Sequence, residues 1–303
     1  MKPLLVAIAR SVAVALLAFV MVAALLALIP TDPYRSSDGT GPDARSRDSS
    51  VGQRFAENLA TVVRWEFGTT YAEGAPIWTL VGYKASRSSW LVLGALGIWF
   101  LLGLPIAILA GWSGGAADRL AGVLNLVSGT PTLITALLLS AAGLWVIDEP
   151  VTGFALREGG TAAAVAYLFP TVALALGDSR MADFMSTVSG RTRRIREIRF
   201  VEALRARKSP VWPHLALGLA GPVTTSLAGN LSYLLGGAIV VEFVFNLSGL
   251  AQAVYQGIAG SVVEVELVIA ISLVFISVVL VGRILAEVVA WASDPRLRQP
   301  VGM

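Results

Sequence analysis

The chain has 303 residues, of which 55% are hydrophobic and only 14% charged, whereas an average soluble protein carries roughly 25% charged residues; this composition excludes an ordinary soluble domain and marks a membrane protein. There is no cysteine and a single histidine, His214, so no disulfide framework, thiolate nucleophile or Cys/His metal cluster is expected. The formal charge of +3 is small but unevenly placed, so the basic residues are read by position.

A helix needs about 20 largely apolar residues to cross the hydrocarbon core of a bilayer. Six segments qualify. The first runs from about Leu4 to Ile29; its part after Arg10 is uncharged until Asp32 and exceeds the roughly 7–15 residue core of a signal peptide, so a retained anchor is expected. The second lies between Arg87 and Asp118 and the third between Arg119 and Asp148, each uncharged throughout. The fourth starts near Thr161 and stays uncharged through Gly177. Asp178, Arg180 and Asp183 then imply that the helix emerges or faces protein; a substrate or proton path is one reading, against a position near the cytoplasmic surface with Arg180 and Asp183 simply paired on one helix face, which is favoured. The fifth follows Lys208 and is uncharged until Glu242, and the sixth spans about Leu267 to Trp291, with Arg283 and Glu287 spaced to pair.

Between these segments the composition changes. Residues 31–88 hold seven basic and seven acidic residues; their first part is rich in Ser, Asp, Gly and Arg, and from Phe55 to Trp78 they gain Trp65, Phe67, Tyr71 and Trp78, which are expected to fold as a cap. Residues Asn246 to Glu266 predict a short helix with Leu250, Val254 and Ile258 on its apolar face. Eight of the 23 Lys and Arg residues fall between Arg191 and Lys208. Six crossings put both termini on one side, and Lys2, Arg10, Arg119, this cluster, Arg296 and Arg298 share that side, which the positive-inside rule makes cytoplasmic. Within the cluster, Ile198 and Val201 share the face of a short helix expected at about Arg194 to Lys208, ended by Pro210. Gly94, Gly97, Gly103, Ala107, Gly218, Gly221 and Gly229 are expected to allow close helix approach.

The stretch Leu234 to Val254, LLGGAIVVEFVFNLSGLAQAV, closely resembles the fifth-helix signature of bacterial dipeptide and oligopeptide ABC-importer permeases. Ile29-Pro30-Thr31-Asp32-Pro33, Glu66-Phe67-Gly68-Thr69-Thr70-Tyr71, Ser128-Gly129-Thr130-Pro131 and Asp294-Pro295-Arg296-Leu297-Arg298 resemble further motifs of that family, in the same order. The long first outer loop is similar to that of the first, B-type, transmembrane subunit. The resemblance implies an all-α integral membrane protein: six transmembrane helices in a type I ABC importer permease bundle with a cytoplasmic coupling helix. The implied organisation is an N-terminal transmembrane helix over residues 1–30, an extracytoplasmic loop over 31–88, and a five-helix core over 89–293. That core contains a cytoplasmic coupling loop, 187–214, and a cytoplasmic tail, 294–303, follows it.

In that family the coupling helix carries Glu-Ala-Ala followed by Gly. Here Glu202-Ala203-Leu204-Arg205-Ala206-Arg207-Lys208 stands in its place, with Leu204 for the second Ala and Lys208 for the Gly. The ATPase-coupling residues so implied are Ile198, Val201, Glu202, Ala203, Arg205, Arg207 and Lys208. Gly236, Gly237, Glu242 and Phe245 are the candidates for an outer gate and pathway.

The implied function is a permease subunit of an ATP-driven ABC importer, with dipeptides or oligopeptides as the implied cargo, in the bacterial cell membrane with both termini cytoplasmic. The chain lacks G-x-x-x-x-G-K-[ST], so ATP hydrolysis is expected on separate partner subunits. No catalytic residue, cofactor or metal site is expected in this chain. The partners implied are a second homologous permease subunit, two ATP-binding ABC subunits, an extracytoplasmic substrate-binding protein and the lipid bilayer, with no nucleic acid. Two other classes compete: an ion-coupled secondary transporter, which needs a titratable site at mid-membrane, and a non-transporting membrane scaffold. Co-purification with ATPase subunits separates the first from both.

Overall fold

A computed structural model describes residues 2–29, 50–70, 74–147, 160–198, 201–202, 210–260 and 263–293. Apart from one isolated bridge, Thr69 to Pro76, the regular structure among the described residues is helical. That is the expected outcome for an apolar chain: in lipid each backbone polar group must find its partner within the segment. The helices are α1 (Lys2–Leu28), α2 (Val51–Arg64), α3 (Ile77–Ile98), α4 (Leu104–Trp112), α5 (Ala116–Ser128) and α6 (Thr132–Ile147). They are followed by α7 (Gly160–Leu176), α8 (Arg180–Arg196), α9 (Trp212–Val244), α10 (Leu250–Ala259) and α11 (Val265–Ser293).

Among the described residues, four spans are long and apolar enough to cross a membrane by length and composition: Leu4–Leu28, Ile77–Trp112, Trp212–Val244 and Val265–Ser293. The third expected crossing differs from a single span, because α5 and α6 meet at 97°. Pro131 has no N–H to continue the α5 ladder and disfavours helical backbone at Thr130, so the chain turns and a new helix starts at Thr132. In the second span, a π turn at Trp99–Gly103 joins α3 to α4. Pro105, immediately after it, cannot donate to the carbonyl one turn back, a common cause of such a bulge.

The fourth expected crossing continues well beyond Asp178. A 3₁₀ turn, Gly177–Ser179, joins α7 to α8, and Asp178 (φ 57°) and Ser179 (φ 60°) both take left-handed backbone there. Asp178, Arg180 and Asp183 therefore do not end the helical segment: Asp178 sits at the kink, and Arg180 and Asp183 open α8.

Two compact units divide the chain. One comprises Val12–Ser89 and Ser248–Leu280. Its core gathers Phe67, Ile77, Val81, Leu250 and the buried run Leu267 to Ile271. Trp65 stacks on Trp78 at 4.9 Å, and Phe67 meets both rings edge-on at 5.7 and 5.1 Å. These aromatics are the ones the sequence picks out as a cap, except Tyr71, which lies outside the described residues, as do 30–49. The start of α2 is held by a reciprocal cap between Ser50 and Gln53, and its buried Asn58 donates to the Ala23 carbonyl at 3.0 Å. At the start of α10 the Leu250 N–H donates to Ser88 Oγ at 2.7 Å. The buried face of α10 carries Leu250, Ala253 and Gly257, whereas Ile258, expected on that face, is exposed.

The other unit comprises Met1–Ser11, Trp90–Leu247 and Val281–Met303. Small residues set its packing. A Cβ on Gly94 would sit 2.7 Å from Thr171, one on Gly111 2.5 Å from the Ser189 carbonyl, and one on Gly218 2.8 Å from Ile195. Gly97 and Gly229, also expected at close approaches, meet no neighbour within 4 Å. Trp99 is fully buried, donates its indole N–H to the Ala175 carbonyl at 2.8 Å and lies 5.8 Å from Phe184.

Candidate functional site

The sequence places the coupling residues after the basic end of α8. The helix does not start at Arg194: Arg193, Arg194 and Arg196 form the last turn of α8, and the chain leaves the helix at Glu197 and Ile198. Cations in a last turn favour the helix dipole, which explains why the basic run extends α8. Two of these arginines, and Arg191 one turn earlier, also tie α8 to its neighbours. Arg193 pairs with Asp118 at 2.7 Å, Arg196 donates to the Trp112 carbonyl at 2.7 Å and Arg191 to the Gly218 carbonyl at 3.4 Å.

Beyond this end, Ile198 is half exposed while Val201 is buried at 2% exposure, and the Val201 N–H donates to the Ile198 carbonyl at 2.9 Å. The two therefore do not form one exposed apolar face, as expected from their spacing; Val201 is seated in its own chain. Glu202 is exposed, and Ala203, Arg205, Arg207 and Lys208 lie outside the described residues. A cleft of about 780 Å³ opens beside this segment, lined by Arg191, Arg194, Ile198, Thr187, Thr225 and Ser293 among others.

The four gate candidates separate. Glu242 and Phe245 are buried at the far end of α9, where the Glu242 carbonyl accepts the Leu247 N–H at 2.8 Å and closes the helix. Gly237 packs into the bundle, with Leu174 3.0 Å from where its Cβ would be. Gly236 alone is open, with nothing within 4 Å. It continues a row along α9, Thr225, Gly229, Tyr233 and Gly236, each exposed and spaced at helical intervals on one face. Glycine, threonine and tyrosine on the open side contrast with the buried Leu219, Val223, Leu234 and Ala238 behind them.

Next to this row lies a cluster whose tertiary role the spacing alone does not reveal. The Asp178 carboxylate accepts the Thr132 N–H at 3.1 Å and the Thr132 hydroxyl at 2.6 Å, and the Asp178 N–H donates to the Thr130 carbonyl at 3.0 Å. Asp178 thus caps the first turn of α6 from another helix, supplying the acceptor and the negative charge that a helix N-terminus favours. Gly177 is required beside it, because a Cβ there would collide with the Thr132 side chain. Arg180 lies over the Tyr233 ring, 3.5 Å from its centroid, and 3.7 Å from Asp183. The i, i+3 pairing of Arg180 with Asp183 is legible in sequence; the stacking on Tyr233 is not, since it joins positions distant along the chain.

A helical bundle with a kinked fourth segment, a continuous fifth helix and a basic connection between them is matched by a family model. Residues 103–299 match the model described as binding-protein-dependent transport system inner membrane component. The chain belongs to this family. It is a permease subunit of the ABC importer type, and its long apolar helices place it in a membrane. Full-length relatives agree with the assignment. The oligopeptide transport system permease protein OppB of Mycobacterium tuberculosis is 27% identical, over 93% of this chain and 91% of its own. The glutathione transport system permease protein GsiC of Salmonella typhimurium is 29% identical, over 93% and 94%, and that of Pectobacterium atrosepticum 25%, over 93% and 94%.

Proposed function

We propose that this permease supplies half of a translocation pathway for peptides or peptide-like solutes, with Thr225, Gly229, Tyr233 and Gly236 of α9 facing the solute. The observation that carries this reading is the open row itself. Lipid gives no reason to line a membrane helix with glycine and hydroxyl side chains, whereas helix interfaces and water-filled paths do. The relatives named for oligopeptides and glutathione support the solute class.

In this reading six crossings are formed by α1, α3 with α4, α5 with α6, α7 with α8, α9 and α11, and both termini are cytoplasmic. The Arg191 to Arg196 end of α8 then faces the cytoplasm, as the positive-inside rule requires. The half-exposed Ile198 and the basic residues up to Lys208 meet one of two separate ATPase subunits. A second permease completes the pathway and an extracytoplasmic binding protein delivers the solute. No cofactor is assigned to this chain. ATP-driven approach of the ATPases would move the segment after α8 and turn the bundle between inward-facing and outward-facing forms.

The test is reconstitution of the five-subunit complex in proteoliposomes with labelled trialanine, its C-terminal amide and glutathione. ATP-dependent accumulation of at least one is the expected result. Accumulation driven by an ion gradient without ATP would favour a secondary transporter, and no accumulation of any of the three would overturn the peptide reading.

A further inference from the structure

The charged pair above α9 is the feature that transport geometry has not absorbed. Helices α8 and α9 run antiparallel: Ile195 meets Gly218 at one end and Arg180 lies over Tyr233 at the other. At about 1.5 Å per residue, Arg180 stands ~22 Å from the Ile195 level along both helices. That level carries Arg191, Arg193, Arg194 and Arg196, a density of charge that has no place in hydrocarbon. With a hydrocarbon core about 30 Å thick, Arg180, Asp183 and Tyr233 lie at membrane depth.

Ionised side chains at that depth face protein or a water-filled path. Neither is fully sealed into its own chain: the Asp183 side chain is 62% exposed and that of Arg180, partly covered by Tyr233, 28%. Nor do they satisfy each other. Their closest approach of 3.7 Å is well beyond the roughly 2.7–2.9 Å of a charge-assisted hydrogen bond. Among the described residues no hydrogen-bond partner meets the buried Arg180 Nε. The pair is held in place, by the Asp178 cap at the kink and by the Tyr233 ring, yet keeps hydrogen-bonding capacity on both charges. Tyr233 belongs to the open row of α9, so that capacity lies beside the proposed path.

We infer that Arg180 and Asp183 form a zwitterion-binding station in the pathway, Arg180 receiving a solute carboxylate and Asp183 a solute ammonium. This rests on the peptide reading above. The two solute classes named for the relatives, oligopeptides and glutathione, share those two groups, a free carboxylate and a free α-ammonium, whatever their side chains. A guanidinium offers a planar donor fork suited to a carboxylate, and the Tyr233 ring beneath it fixes the plane of that fork. On binding, the loose Arg180 to Asp183 contact would be exchanged for contacts to the solute.

The experiment uses the complete complex in proteoliposomes, with this chain carrying Arg180→Gln, Arg180→Lys or Asp183→Asn. Uptake of trialanine, its C-terminal amide and glutathione is measured beside ATP hydrolysis stimulated by the solute-loaded binding protein. The expected result is that Arg180→Gln lowers trialanine and glutathione uptake about tenfold, since a site built for a polar group discriminates strongly when its partner is lost. Stimulated ATP hydrolysis stays within about twofold, and Arg180→Lys restores part of the uptake. Uptake of the amide, where the wild type carries it, falls less. Unchanged uptake overturns the inference, as does a parallel fall in uptake and ATP hydrolysis, which marks a structural or coupling role. Loss of the second permease from the purified complex also overturns it and makes the pair a contact between subunits. A wild-type complex that moves none of the three solutes overturns the peptide reading itself, and the inference with it.

Discussion

At the scale of single residues, the contact between the α5–α6 bend and the α7–α8 kink shows how one carboxylate ties together two breaks in the helices. Thr132 is buried and its N–H has no carbonyl one turn back to bond, because the chain bends at Pro131; Asp178 supplies the acceptor. Asp178→Ala should therefore lower stability by about 1–2 kcal/mol, the usual range for a lost helix cap, whereas Asp178→Asn, which keeps one acceptor oxygen, should lose less. Thermal unfolding of the detergent-purified chain tests this, and equal losses for the two variants would argue against the cap. The adjacent glycines of α9 make a second contrast. Gly237 has Leu174 in the way of any side chain, while Gly236 has open space. Gly237→Leu should reduce the folded yield through overpacking. Gly236→Leu should fold normally and impair uptake only. The resemblance puts both glycines at the gate; the packing sets Gly237 against Leu174 and leaves Gly236 open, as the proposed path requires.

At the scale of elements, the segment after α8 divides between structure and coupling. Val201 is buried in its own chain, so Val201→Asp places an unpaired charge in the permease interior, at a cost of several kcal/mol. The expected outcome is poor recovery of the permease itself, seen as a lower monodisperse fraction after extraction, before any partner is added. Ile198 is half exposed, and Ile198→Asp should leave stability within about 0.5 kcal/mol while reducing the ATPase recovered with a tagged permease. If Ile198→Asp recovers the ATPase in full, coupling must lie elsewhere in the basic loop. The spacing of Ile198 and Val201 is the same in sequence whether they face a partner or their own bundle. Periodicity gives a face and not its neighbour.

At the scale of the whole molecule, the proposed orientation rests on where positive charge accumulates. With no native cysteine, the chain suits single-cysteine labelling. Ser50→Cys should react with an impermeant reagent added outside intact cells, and Glu197→Cys only after the membrane is opened. Both residues are exposed, so accessibility reports the side and not burial. Outside labelling at Glu197→Cys would invert the topology and remove the ATPase contact from the α8 end.

The sequence by itself determined that this is a helical membrane protein and a member of the binding-protein-dependent permease family. Long uncharged runs have one economical solution in lipid, a helix that bonds its own backbone, and the motifs lie in order along the chain. It also determined the basic connection between α8 and α9 and the aromatic cluster of Trp65, Phe67 and Trp78. Only the tertiary structure decided that Asp178 caps α6, that Arg180 rests on Tyr233, that the third segment bends at Pro131 and that Val201 is buried. Each of these depends on which helix lies alongside which. Side-chain hydrogen bonds and close packing act over about 3–4 Å between residues far apart in the chain, and local pattern carries no information about that pairing.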